Sequence, residues 1–304
     1  MLVILAGLAY AGKFDQSLSA LAMGIANPVD SARDVASALD QQEFSSFLSF
    51  MDRSLFEGEA FGAGDIPIIL QIAALLLYGT SFARRAPKRL KDLRPGLAYI
   101  WVSALATAAL VHLFKGIIAR PRPYEVAQGL SSFHMWYDLH MPRFFAFAKG
   151  SFPSGHTAGA ATLWSLVLVF GWLYPKGRLA LGLLAGISTI FCLSMGFSRV
   201  AHGDHWPTDT LAAIVLAFFV ATMLSKMMLA SPKAAASTAQ RTAGVLLDVA
   251  ILFWCCGVWL TIGALYLALK LFANGDLILG AAALLAFLGG VYGTSLARVR
   301  GLRS

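Results

Sequence analysis

Three short clusters in this 304-residue chain carry residue types that can handle an anion. The first is KGIIARPRP, Lys115 to Pro123. Pro121 and Pro123 cannot continue a helix, so Lys115 and Arg122 fall near one helix end. The second is GSFPSGHT, Gly150 to Thr157. Ser154 is a helix-capping type, Gly155 lets backbone approach a ligand closely, and His156 stands at the mouth of the helix that follows. Such a helix start offers unpaired N–H groups and a positive dipole end to an anion. The third is SRVAHGDHWPTD, Ser198 to Asp209. With Pro207 opening a helix, Asp209 lies in its first turn, four residues after His205. A carboxylate on one imidazole nitrogen sets the tautomer and leaves the other nitrogen nucleophilic. Arg199 adds a bidentate anion donor.

Each cluster alone has a plainer reading. Lys115 and Arg122 suit interfacial snorkelling, residues 150–157 a capping turn with an interfacial histidine, and 198–209 a structural polar loop. His202, His205 and Asp209 could also be read as metal ligands, although the three cations nearby would repel a metal ion. Taken together, Lys115, Arg122, Arg199, the helix start, His156, His205 and Asp209 suit phosphate binding and phosphoryl transfer without a metal. Loose phosphoryl transition states demand charge stabilisation and positioning above all.

The elements that must hold these clusters are membrane helices. Hydrophobic residues make up 58% of the chain and charged residues 13%, with a mean hydropathy of +0.69. So few charges cannot cover a water-soluble surface. Soluble α/β enzymes, collagen and disordered chains are excluded. Spans need roughly 20 apolar residues, and seven segments qualify or come close: 66–83, 98–118, 156–174, 179–196, 209–226, 243–270 and 277–297. The opening apolar segment 1–12 is too short to span alone and reads as a short or truncated first span. The expected fold class is all-α, a polytopic bundle of seven to eight spans. Three units follow: 1–65, a short apolar segment plus one or two amphipathic helices on the outer surface; 66–228, a core holding the clusters; and 229–304, a polar linker (231–241) and two further helices.

Charge placement orients the bundle. Fourteen of the 24 basic residues, from Arg84 to Arg303, fall on one side of an up-down threading, which the positive-inside rule makes cytoplasmic. Residues 1–65 hold nine of the 16 acids and only Lys13, Arg33 and Arg53 as basic residues, as an exported segment should. The net charge of +8 is thus topological, and no nucleic-acid partner is expected. All three clusters lie on the outer side. Cys192, Cys255 and Cys256 sit in apolar runs and read as small buried residues.

The three clusters resemble the signature of the type 2 phosphatidic acid phosphatase family, shared with vanadium haloperoxidases and glucose-6-phosphatase. Its pattern, K-x6-RP, PSGH and SR-x5-H-x3-D, reads here as Lys115-x6-Arg122-Pro123, Pro153-Ser154-Gly155-His156 and Ser198-Arg199-x5-His205-x3-Asp209. The resemblance covers about residues 66–226. It implies His205 as the nucleophile that forms a phosphohistidine, Asp209 as its orienting partner and His156 as the acid that protonates the leaving group. Lys115, Arg122, Arg199, Ser154 and the N–H groups of Gly155 and His156 would hold the phosphate oxygens. No cofactor or metal is implied. The chain departs from the family layout at both ends: only the 1–12 segment precedes 66–83, and two helices follow the last motif.

The family implies a lipid phosphatase acting at the outer face of a membrane, best matched by a bacterial inner membrane with the site facing the periplasm. Its substrate would be undecaprenyl pyrophosphate, phosphatidylglycerol phosphate, phosphatidic acid or a lipid A phosphate. A lipid phosphotransferase of the same chemistry is the alternative. A transporter or scaffold that only binds phosphate would need neither His205 nor His156. Haloperoxidase activity is disfavoured, its examples being soluble. The loop 124–150, with Asp138, His140 and Arg143, reads as the specificity element. Tyr124, Trp136 and Trp206 fit either an interfacial belt or a wall for the lipid. His112 reads as a satisfied buried histidine or a support for Lys115, Asp248 as interfacial, and Asp204 and His202 as solvated loop residues.

Overall fold

The computed structural model describes residues 2–26, 46–138 and 150–229, and in the C-terminal part 261, 264–265, 267–269, 271–273, 275 and 277–301. The linker 231–241, most of the 243–270 segment, and His140 and Arg143 lie outside the described residues. Every described element is helical: α1 (Leu2–Ala11), α2 (Asp15–Ala26), α3 (Ser46–Asp52), α4 (Asp65–Thr80), α5 (Lys88–Asp92), α6 (Arg94–Ile118), α7 (Pro123–Ala127), α8 (Gly155–Ala161), α9 (Trp164–Leu173), α10 (Arg178–Ala201), α11 (Pro207–Met228) and α12 (Leu277–Gly301).

Among the described residues, four stretches are long and apolar enough to cross a membrane: Arg94–Ala127, Gly155–Leu173, Arg178–Ala201 and Pro207–Met228. Helix α6 has 25 residues and rises roughly 37 Å, more than the hydrocarbon core requires. The expected 66–83 span differs: it forms α4, a 16-residue apolar helix. It starts at Asp65, whose carboxylate turns inward to bind the preceding loop, and ends at Thr80 rather than at 83. The expected 277–297 segment lies within α12, where Leu277–Leu288 is the shorter apolar helix.

The core lies between α4, α6, α9 and α11. Tyr99, Val102, Ala106 and Leu110 of α6 pack with Ala74 and Tyr78 of α4 and with Val220 and Leu224 of α11. The Tyr99 hydroxyl donates to the Ala221 carbonyl at 2.8 Å. Small residues permit this closeness, as membrane helix packing requires: Ala158, Ala160, Ala213, Ala217 and Ala221 are all buried. The opposite faces stay apolar and uncovered. Leu179, Leu183, Ile187 and Ile190 form an exposed stripe on α10, which suits contact with lipid chains rather than water.

The described part of 1–65 does not lie loosely on the outer surface. Helix α2 packs against α10 and α11, and α3 against α10. Asp15 is fully buried, and the Ser198 hydroxyl donates to the Leu48 carbonyl at 2.9 Å. Two of the acids in this segment, Asp15 and Asp52, turn inward to Arg120 and Arg199.

Candidate active site

Four helix ends meet at one end of the bundle. They are the C-termini of α6 and α10 and the N-termini of α8 and α11, and each junction has a local cause. Helix α6 stops at Ala119, which takes a left-handed conformation (φ 53°) before Pro121. Helix α10 stops at His202 and turns through Gly203, whose φ of 74° favours glycine. That turn ties the Asp204 and His205 N–H groups back to the Arg199 carbonyl at 3.1 and 3.2 Å. Main-chain bonds then join the three motif segments. Ser151 N–H donates to Arg120 O at 2.9 Å, Ser154 N–H to Asp209 O at 3.1 Å, and Tyr124 N–H to Gly203 O at 3.1 Å. The Trp206 indole donates to Pro121 O at 2.8 Å. A Cβ on Gly150 would stand 2.5 Å from Lys115 O, so only glycine lets this segment approach the end of α6.

The side chains gather accordingly. Lys115 is buried at the end of α6, with Nζ 3.7 Å from where a Cβ on Gly155 would stand. Ser154 caps α8: its Oγ accepts the Thr157 N–H at 3.4 Å and lies 2.9 Å from Thr157 Oγ1. His205 is 1% exposed. The same three cations, Arg199, Lys115 and Arg122, act electrostatically on His205 and on His156. Two imidazoles and three cations therefore share one small region.

Asp209 lies beside His205, but its oxygens have closer partners. Oδ1 accepts from Arg120 at 2.7 Å and Oδ2 from the Trp206 N–H at 2.9 Å. His205 Nδ1 is 3.7 Å from Oδ2, longer than a hydrogen bond; contacts of this kind commonly tighten only in the substrate complex. Asp204 is not a solvated loop residue. It bridges Arg122 at 2.9 Å and Arg199 at 3.2 Å. Burial would raise its carboxyl, but Arg199 and Arg122 outweigh that and hold it below the usual value. His202 turns to the Ser198 carbonyl at 2.8 Å and to Asp52 at 3.7 Å rather than to His205. Among the described residues no group of three or more histidines, cysteines or acids is assembled to hold a metal ion.

Three residues of this region escape sequence reasoning. Arg120 is fully buried and donates to Asp15 at 2.8 Å, to Asp209, to Thr208 Oγ1 at 2.9 Å and to the His134 carbonyl at 3.1 Å. Asp15 in turn accepts the Thr208 N–H at 2.9 Å and the Thr208 hydroxyl. Asp52 holds Arg199 at 2.8 Å; burial raises its carboxyl, against the pull of Arg199. The one available signal was a second arginine in ARPRP. Nothing local marks Asp15 or Asp52.

Burial first, and then the charges of Arg199, Lys115 and Arg122, hold the His205 imidazole well below its ordinary value of 6.5. It is therefore neutral, as a nucleophile must be. The folded state binds fewer protons here than the unfolded chain. The contribution to stability is present above pH 6.5 and is lost as pH falls below it. Wild-type protein should lose more of its thermal midpoint than His205→Gln between about pH 7 and about pH 5. Parallel curves would contradict a buried neutral imidazole.

A helical integral membrane protein with a cationic, two-histidine site at one end of its spans is the class defined by this fold. Residues 96–233 match the family model of the PAP2 superfamily. It is similar to a lipid A 1-phosphatase of Rhizobium etli, 28% identical over 164 residues, covering 50% of this chain and 62% of that protein. It is similar to the undecaprenyl-diphosphatase BcrC of Bacillus subtilis, 26% identical over 151 residues, covering 50% and 62%. Phosphatidylglycerophosphatase B of Haemophilus influenzae is 26% identical over 186 residues, covering 53% and 76%. The chain thus spans less than two thirds of the length of the first two relatives. No solved structure matches.

Proposed function

We propose that this protein is an integral-membrane lipid phosphatase. It hydrolyses a phosphate monoester or pyrophosphate of a membrane lipid at the periplasmic face of an inner membrane, through a phosphohistidine and without a metal. The observation that carries this reading is the convergence of Arg199, Lys115 and Arg122 on both imidazoles. The cations hold the phosphoryl oxygens and offset the charge that builds on them. Neutral His205 attacks phosphorus with a nitrogen lone pair, and the phosphorus–oxygen bond to the lipid breaks. The departing oxygen takes a proton from His156. Water then gives a proton to His156 as its oxygen attacks the phosphohistidine, releasing inorganic phosphate and restoring both histidines. Asp209 stabilises the proton on the far nitrogen of His205. The relatives' names support a lipid substrate: lipid A, undecaprenyl diphosphate and phosphatidylglycerophosphate all present a phosphate at the membrane surface. The basic residues 84–94 at the opposite helix ends support the periplasmic orientation. The remaining spans of the seven-to-eight count belong to α4 and the C-terminal segments.

The test is phosphate release by detergent-solubilised protein from undecaprenyl pyrophosphate, phosphatidylglycerol phosphate, phosphatidic acid and lipid A 1-phosphate, with EDTA present. Release from at least one lipid, undiminished by EDTA, is expected, and the preferred lipid names the substrate. Loss on chelation would overturn metal independence. Transfer to a second lipid without free phosphate would establish a phosphotransferase, and no turnover at all would leave a binding protein.

A further inference from the structure

The loop between α3 and α4 lies outside the segment that matches the family, yet it is built against His156. Asp65, the first residue of α4, is fully buried. Its carboxylate accepts the Ser54 hydroxyl at 2.8 Å, the Leu55 N–H at 3.0 Å and the Gly62 N–H at 2.9 Å. One side chain thus draws both arms of the loop together. Ala63 donates its N–H to Phe50 O at 2.8 Å. With Met51, Ala63 packs on Ala160 and Ala161 of α8, the helix that carries His156.

Gly64 meets the imidazole itself. A Cβ at this position would stand 2.7 Å from His156 Cδ2 and 2.9 Å from Nε2, nearer than real Cβ atoms come. The backbone does not require glycine, since φ −60° and ψ −26° are ordinary helical values. The missing side chain is therefore explained by the imidazole, with Arg53 O at 3.0 Å the next neighbour. We propose that the Asp65-tied loop is a positioning element for His156, and that Gly64 is the contact that sets where the imidazole stands. This rests on the reading of His156 as the acid that protonates the leaving group.

In the first step, formation of the phosphohistidine, a displaced acid harms only those substrates whose leaving group needs its proton; the second step, attack by water, is common to all of them. An alkyl phosphate releases a strongly basic alkoxide, whereas p-nitrophenyl phosphate releases a phenolate that departs without protonation. Gly64→Ala should lower the single-turnover rate of phosphohistidine formation from the preferred lipid phosphate monoester by about ten- to a hundredfold, the cost of a small misplacement. Its single-turnover rate of p-nitrophenolate release, which precedes the shared second step, should change by less than about twofold, because the cations and His205 are untouched. Asp65→Asn, which keeps the shape and weakens the loop's tie, should show the same selectivity on a smaller scale and serves if Gly64→Ala does not fold. Equal losses on both substrates, or none on either, would overturn the inference. His156→Ala, measured alongside, separates the two claims. If it is selective and the loop variants are not, the loop does not position the acid. If it is not selective, the acid assignment itself fails.

Discussion

Replacing His205 by alanine is expected to lower phosphate release by about four orders of magnitude or more, the scale seen when a covalent nucleophile is removed. Without its nitrogen, water must attack phosphorus directly. Arg199, Lys115 and Arg122 would still bind the phosphate, so KM should change far less than kcat. The second signature is covalent. Wild-type protein quenched during turnover should carry a base-stable, acid-labile phosphoryl group, and His205→Ala should carry none. Its effect on folding is separable, because the imidazole is buried and neutral and makes no hydrogen bond through Nδ1. A variant that kept activity within about tenfold of wild type would exclude a phosphohistidine at this position.

Arg120→Leu is expected to cost about 3–5 kcal/mol of stability, because it leaves two carboxylates buried with no cation. Arg120, Asp15 and Asp209 are each fully shielded from solvent. The arginine spans them with contacts of 2.8 and 2.7 Å. It lies 5.4 Å from the Phe133 ring and 5.3 Å from the Trp206 ring, so apolar rings flank the charges that would be stranded. Burial already raises the Asp15 carboxyl despite its arginine partner. Adding Asp15→Asn to Arg120→Leu should therefore recover part of the loss, since one stranded charge disappears; the two effects are not additive. Equilibrium unfolding in mixed micelles measures this. A cost below about 1 kcal/mol for Arg120→Leu would mean the network is solvated and not structural. Activity should fall along with stability, because Arg120 holds the carboxylate nearest His205.

Much of the candidate site was legible because its parts are local. Lys115 and Arg122 flank a helix end written by Pro121 and Pro123, Ser154 caps the helix that carries His156, and Pro207 opens the one that carries Asp209. Such signals depend on neighbours a few residues away. The apolar runs were equally legible, since hydropathy alone separates a span from a loop. The lengths were less so: the apolar run 66–83 forms a helix that begins at Asp65 and already ends at Thr80.

By itself the sequence determined the class of fold, the residues available for phosphoryl chemistry and the end of the bundle where they lie. Only the tertiary structure decided what surrounds them. Asp15 pairs with Arg120 across 105 residues, and Asp52 reaches Arg199 across 147. Gly64 closes on His156 from a different helix junction. An acid in an exported amphipathic stretch looks the same whether it meets water or a buried guanidinium. The difference is the desolvation cost that a partner distant in the chain must offset, and no local pattern records that partner.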